Sequence, residues 1–140
     1  MAAGQFYKGK NLRFKFDGKT LFHATSCSLS VSTDVEEIAT KDTAGKVVIP
    51  GSYAGTLSTD ALLADKPNGS TTQVDAFDLM ALQLANTQIT WEFSTGASGD
   101  RIVSGTTYLT QTDLTAEEAG IGSGSFSFIT TGDITLAVVV

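Results

Sequence analysis

Histidine and cysteine occur once each in this 140-residue chain and proline only twice. Each scarcity excludes something. Cys27 alone can form no internal disulfide. At an inward position of an alternating run it reads as a small buried hydrophobe rather than a reactive thiol. The lone His23 cannot supply the spaced ligand set of a zinc site. Basic residues are outnumbered, 9 Lys and Arg against 15 Asp and Glu, for a net charge of −6. A basic footprint for tight nucleic-acid binding is therefore missing. No stretch approaches the roughly 20 apolar residues of a membrane helix. The closing Leu136–Val140 is far too short for one and reads as a last strand or a sticky tail for a partner. The opening MAAGQFYKGKN lacks the apolar core of a signal peptide.

What is present points to one β-rich domain. Hydrophobic residues make up 41% and charged residues 17%, a globular balance. Ser and Thr fill about a quarter of the chain, well above ordinary usage. With 14 glycines and little proline, this favours an all-β domain with many turns. The length suits a single domain, residues 1–140. Charge is unevenly spread: residues 1–19 carry +4 and the rest −10. A solvated basic strand on an acidic domain would account for that. The sharper reading makes Lys10, Arg13 and Lys15 a positive contact for a negative neighbouring subunit.

The longest informative stretch runs from Thr25 to Leu63. Cys27, Leu29 and Val31 alternate with Ser28, Ser30 and Ser32; Leu57, Ala61 and Leu63 oppose Thr56, Ser58 and Asp60. Period-2 alternation predicts half-buried strands. Between them lies a polar excursion, Thr33 to Pro50, far longer than a tight hairpin needs. It carries Thr40-Lys41-Asp42-Thr43 and ends in Ile49-Pro50-Gly51-Ser52-Tyr53.

Elsewhere, Asp17-Gly18 after Leu12, Phe14 and Phe16 is a hairpin signal, with the returning strand expected from Thr20 to about Ser32. Gln73–Ala85 is the one good helix. Thr72 and Asp75 are spaced as its capping box, and Val74, Phe77, Met80, Ala81 and Leu84 are expected to face the sheet. Asn86 is its stop. Ile89, Trp91 and Phe93 alternate with Thr90, Glu92 and Ser94. A strand follows over 100–113 around Tyr108. An acidic link, Thr115–Gly120, has room for one helical turn. Gly124–Thr130 and Ile134–Val139 are read as two strands parted at Gly132-Asp133. The expected fold is mainly β, a sandwich or barrel of about eight antiparallel strands with one helix packed on it and a long extended loop.

No constellation for chemistry emerges, and no cofactor or metal is implied. Gly51-Ser52-Tyr53-Ala54-Gly55 misplaces its serine relative to a nucleophile elbow, and no helix follows. The glycine-rich 120–124 segment precedes a strand, whereas a phosphate loop should open a helix. Glu36-Glu37 and Glu117-Glu118 are adjacent pairs whose side chains point apart on an extended segment. The chain reads as a non-enzyme.

The hairpin LRFKFDGKTLFHATSCSLSVS, the long arm ending in IPGSY, the TLSTDALL strand, the mid-chain helix and the ITWEF strand together resemble the major tail tube proteins of long-tailed bacteriophages. The likeness leans to non-contractile tails, within a superfamily shared with type VI secretion tubes. The resemblance implies a structural virion protein that forms stacked hexameric rings and is made in the host bacterial cytoplasm. It implies tape-measure and tail-terminator proteins as partners, transient passage of double-stranded DNA, and no membrane. It implies an inter-ring arm at about 33–50 bearing Asp34, Glu36, Glu37, Lys41, Asp42, Lys46 and Pro50. Ser28, Ser30, Ser58, Asp60 and Glu92 would face the lumen, where acidic walls let DNA slide and basic ones would trap it. Two rivals are a soluble β-sandwich binding module and a secreted ring protein of a type VI-like system. The first would stay monomeric, the second would stop at a ring, and a tail tube polymerises.

Overall fold

The computed structural model describes residues 4–42 and 44–140; Thr43 of the arm motif lies outside them. The first hairpin forms as its Asp-Gly dipeptide predicts. Asp17 and Gly18 take positive φ values of 54° and 78°, as the mirror-image turn between right-twisted strands requires. Strands β1 (Arg13–Phe16) and β2 (Lys19–Leu21) pair antiparallel across it. The returning strand does not continue to Ser32. His23 adopts a left-handed φ of 55°, rare for a side-chain-bearing residue, and this redirects the chain. A new strand, β3 (Ala24–Ile38), then starts at the far edge of the sheet.

The remaining elements are β4 (Val47–Leu62), β5 (Gln73–Val74), α1 (Ala76–Leu84), β6 (Ile89–Ser94), β7 (Arg101–Thr115) and β8 (Ser123–Val138). Among the described residues they form one eight-stranded sheet in the order β3-β4-β8-β7-β6-β1-β2-β5. The pairing of β2 with β5 is parallel, so the sheet is mixed; the other pairings are antiparallel. The acidic link after β7 forms a turn closed by Gly120 N–H on the Glu117 carbonyl, not a helical turn. The last two expected strands are one. Gly132, at a φ of 75°, sits in a bulge that lets β8 stay paired with β7 on both sides of it.

The sheet is rolled. The Phe16 ring on β1 stacks on the Phe128 ring on β8, with centroids 4.7 Å apart. In strand order β7 and β6 lie between these two, and a flat sheet would hold them about 14 Å apart. β1 also comes close to β3, so the inner faces enclose one core. Phe14, Phe16, Leu57, Ile89, Trp91, Phe126 and Phe128 fill it. Register shifts in β7 at Ser104/Thr106 and Leu109/Gln111 mark where the long β7–β8 ribbon bends around that core.

The helix is shorter than its pattern and turned about its axis. Gln73 and Val74 are taken by the parallel pairing with β2, so the capping box moves downstream from Thr72/Asp75 to Asp75/Asp78. Asp75 accepts the Asp78 N–H at 2.8 Å and the Lys66 N–H at 3.2 Å. Lys66 Nζ lies 2.8 Å from the Asp78 carboxylate, and its hydrogen bond holds that carboxyl below the ordinary aspartate pKa. The far end closes at Asn86, with a φ of 54°. The Thr87 N–H returns to the Leu82 carbonyl and the Asn86 N–H to that of Gln83, the Schellman pattern.

The core-facing stripe is Ala76 and Leu79, with Leu82 packed beside them. Val74 is buried as expected, but on β5. Phe77 and Leu84, expected against the sheet, are 49% and 78% exposed. Two apolar stripes compete on this helix, and periodicity alone cannot rank them. In the observed rotation Lys66 pairs with Asp78 and Thr112 Oγ1 donates to Gln83 Oε1.

Candidate assembly surfaces

Three surfaces gather the residues singled out by the sequence. The first is the outer face of β3, β4, β8 and β7. Core residues Leu57, Thr59, Ala61, Phe126 and Phe128 point inward, so the residues between them point out. The register aligns them in rows: Ser26, Asp60, Ser125 and Asp113; then Ser28, Ser58, Ser127 and Gln111; then Ser30, Thr56, Ile129 and Tyr108. The Asp60 carboxylate is the hub of the first row. It accepts Ser26 Oγ at 2.9 Å and Ser125 Oγ at 2.7 Å. Asp113 accepts Gln111 Nε2 at 2.8 Å. Neutral hydroxyls and an amide thus hold the two carboxylates in place, and their charge stays on the surface.

The helix lies on the other side of these strands, since Gln83 is bonded to Thr112, the register partner of core Phe126. Ser28, Ser30, Ser58 and Asp60 are therefore brought together on one uncovered polar face. Glu92 is not among them. It sits on β6 between Lys15 of β1 and Ser104 of β7, with β8 and β7 separating its strand from that of Asp60. Ser125, Ser127, Gln111 and Asp113 belong to this face and were missed as site residues. The alternation of Ser123, Ser125 and Ser127 with Gly124, Phe126 and Phe128 carried the signal.

The second surface is the arm, which is a two-stranded ribbon for most of its length. Val35, Glu36, Glu37 and Ile38 pair with Pro50, Ile49, Val48 and Val47. Asp34, Glu36 and Glu37 lie on β3; Lys41 and Asp42 form the turn at the tip; Lys46 precedes β4 and reaches Glu37 at 3.2 Å across the ribbon. That pair is exposed and contributes little. Pro50 is tolerated because β4 has lost its second neighbour there and the register shifts beside it. All described residues from Val31 to Ala54 are exposed. They include Val31, Val35, Ile38, Val47, Val48, Ile49 and Tyr53, a large apolar surface for a free chain.

The third surface is basic. Lys10 lies in a short 3-10 turn (Gly9–Asn11), and Arg13 and Lys15 alternate with buried Phe14 and Phe16 on β1. Lys8, Lys10 and Arg13 line an open cleft of about 590 Å³ together with Thr95 and Asp100. Among the described residues, Lys10, Arg13 and Lys15 make no ion pair.

Neither a protein-family model nor a curated protein sequence matches the chain. Solved structures do. The tail of an empty gene transfer agent particle, refined with C6 symmetry, superposes with a TM-score of 0.78 at 15% identity, over 95% of this chain and 100% of that one. The SPP1 tail tube gives 0.72 at 14% identity, over 94% of this chain and 78% of that one. The sheath-tube complex of an extracellular contractile injection system, PVC, gives 0.70 at 11% identity, over 98% and 95%. The chain has the tail-tube fold. The likeness runs over nearly the whole chain rather than one hairpin, so it takes in strands, helix and arm alike.

Proposed function

We propose that this protein is a structural, non-catalytic subunit of a tail tube, forming rings that stack into a hollow conduit for DNA. The observation that carries the reading is the match over nearly the full length of both chains to a tail solved with sixfold symmetry. On this reading the rings are hexameric and the tube belongs to a virion. Ser28, Ser30, Ser58 and Asp60, with Ser125 and Asp113, face a wet, acidic lumen, where like charge lets phosphates pass without sticking. Glu92 stands apart from that wall. The arm, with Asp34, Glu36, Glu37, Lys41, Asp42, Lys46 and Pro50, reaches the next ring and covers its exposed valines and isoleucines there. Tape-measure and terminator proteins would meet the bore and the end of such a tube.

Negative-stain microscopy with sedimentation of the purified protein tests the reading. Long tubes of uniform bore are the expected result. A species that stays monomeric at every concentration overturns it, and one that stops at single rings favours a secreted ring protein.

The basic surface then meets an acidic neighbour. Lys10→Glu combined with Lys15→Glu should slow assembly markedly at low salt and much less at high salt, because screening removes the long-range attraction in both proteins. Light-scattering time courses at two ionic strengths read this out. Equal rates for variant and parent at low salt would remove these lysines from the contact.

A further inference from the structure

The arm leaves the barrel at a fork in the sheet. β4 pairs with β8 from Leu62/Ser123 as far as Thr56/Ile129 and no further. Beyond that point β4 continues outward with β3 alone, while β8 continues with β7. A fork strands backbone N–H groups that would otherwise join a ladder, and each must find another acceptor if it is not to cost stability. Two side chains provide one. The Gly55 N–H donates to Thr130 Oγ1 at 2.9 Å, and the Ile134 N–H donates to Tyr53 Oη at 3.0 Å. The two bonds run in opposite senses, one from each branch to the other.

The packing around them is tight. Gly55 is buried, and a Cβ there would lie 3.0 Å from Thr130 Cγ2 and 3.1 Å from Ile134 Cδ1. The bulge at Gly132 swings β8 between the two bonds: Thr131 still faces Thr106, but Thr135 already faces Ser104. A plain two-stranded ribbon twists and bends freely because nothing else touches it. This one is tied at its root by two directional bonds that belong to neither ladder.

We propose that Tyr53 and Thr130 are positioning residues that fix the angle at which the arm projects from the barrel. Their role in assembly rests on the tail-tube reading; their effect on the arm does not. Tyr53→Phe and Thr130→Val remove one hydroxyl each with little change of shape, and Thr130→Ser restores the acceptor.

The test uses the full chain with Cys27→Ser and spin labels at Lys41→Cys on the arm tip and Thr90→Cys on the outer face of β6, both exposed positions. Pulsed distance measurements on unassembled protein should give one narrow peak. The Tyr53→Phe/Thr130→Val pair should lose that peak to a broad distribution, and Tyr53→Phe/Thr130→Ser should recover part of it. In parallel, exchange at the Gly55 and Ile134 amides should quicken by about tenfold while Leu57 and Phe126 keep their protection. A narrow peak in the double variant overturns the proposal, whatever the protein assembles into. A parent with a narrow peak that forms no tubes leaves the positioning intact and removes the tail-tube reading instead.

Discussion

Removing residues 36–46 should leave a folded monomer that no longer forms tubes. The described part of that segment is exposed, and none of it belongs to the core. The cut also suits the register. Val35 pairs with Pro50, so joining Val35 to Val47 leaves Val47, Val48 and Ile49 as the loop, a length that hairpins accept. Shortening an exposed connection changes its closure cost by only about 0.6 kcal/mol per twofold change in length. Denaturation midpoints of the two proteins should therefore nearly coincide. Assembly should differ entirely, because the deletion removes Glu36, Glu37, Ile38, Lys41, Asp42 and Lys46 at once, the distal half of the surface proposed to bridge rings. Sedimentation at concentrations where the parent polymerises gives the answer. Long tubes from the shortened protein would show that stacking does not depend on the distal arm.

How much of this was legible in the sequence depends on the range of the interaction. Asp17-Gly18 could be read because a positive φ is a local requirement and those two residues meet it. Asn86 as a helix stop is legible for the same reason. The alternation of Leu57 with Ser58 and of Trp91 with Glu92 gives the faces of strands, since burial on one side imposes it.

What failed were decisions made between distant segments. His23 takes a left-handed conformation that the strand pattern around it does not announce, and one expected strand became two. The helix carries two apolar stripes, and the one that is buried, Ala76 and Leu79, is known only from the packing of segments distant in sequence. The arm read as a polar loop, yet Val35, Ile38, Val47, Val48 and Ile49 are β-formers, and they extend the paired strands as far as Ile38 and Val47. The wall around Asp60 was half found. Ser28, Ser30 and Ser58 follow from alternation, and Ser125 carried the same signal; that Ser125 and Asp113 share a row with Asp60 comes from cross-strand register, which one chain's pattern does not reveal.

Phe128→Ala should be among the most damaging single changes in the chain, at about 3–5 kcal/mol, the usual cost of truncating a fully buried aromatic. Phe128 is completely buried, and its ring lies within 11° of parallel to that of Phe16. The contact joins strands that two others separate in the sheet, so it draws the two sides of the roll together across the core. A domain of this kind has about 5–15 kcal/mol of stability in all, and the variant would sit near the edge of folding at ambient temperature. Phe128→Leu keeps most of the volume and should cost clearly less. A double-mutant cycle with Phe16→Ala isolates the stack: the pair should be coupled by about 0.5–1.5 kcal/mol. The same variants separate fold from assembly. Phe128→Leu should fold and still form tubes, since the ring touches only the core of its own subunit, while the arm deletion should fold and form none. A cost below about 1 kcal/mol for Phe128→Ala in denaturant titrations, under the range for any buried large-to-small change, would mean that the barrel is held closed elsewhere.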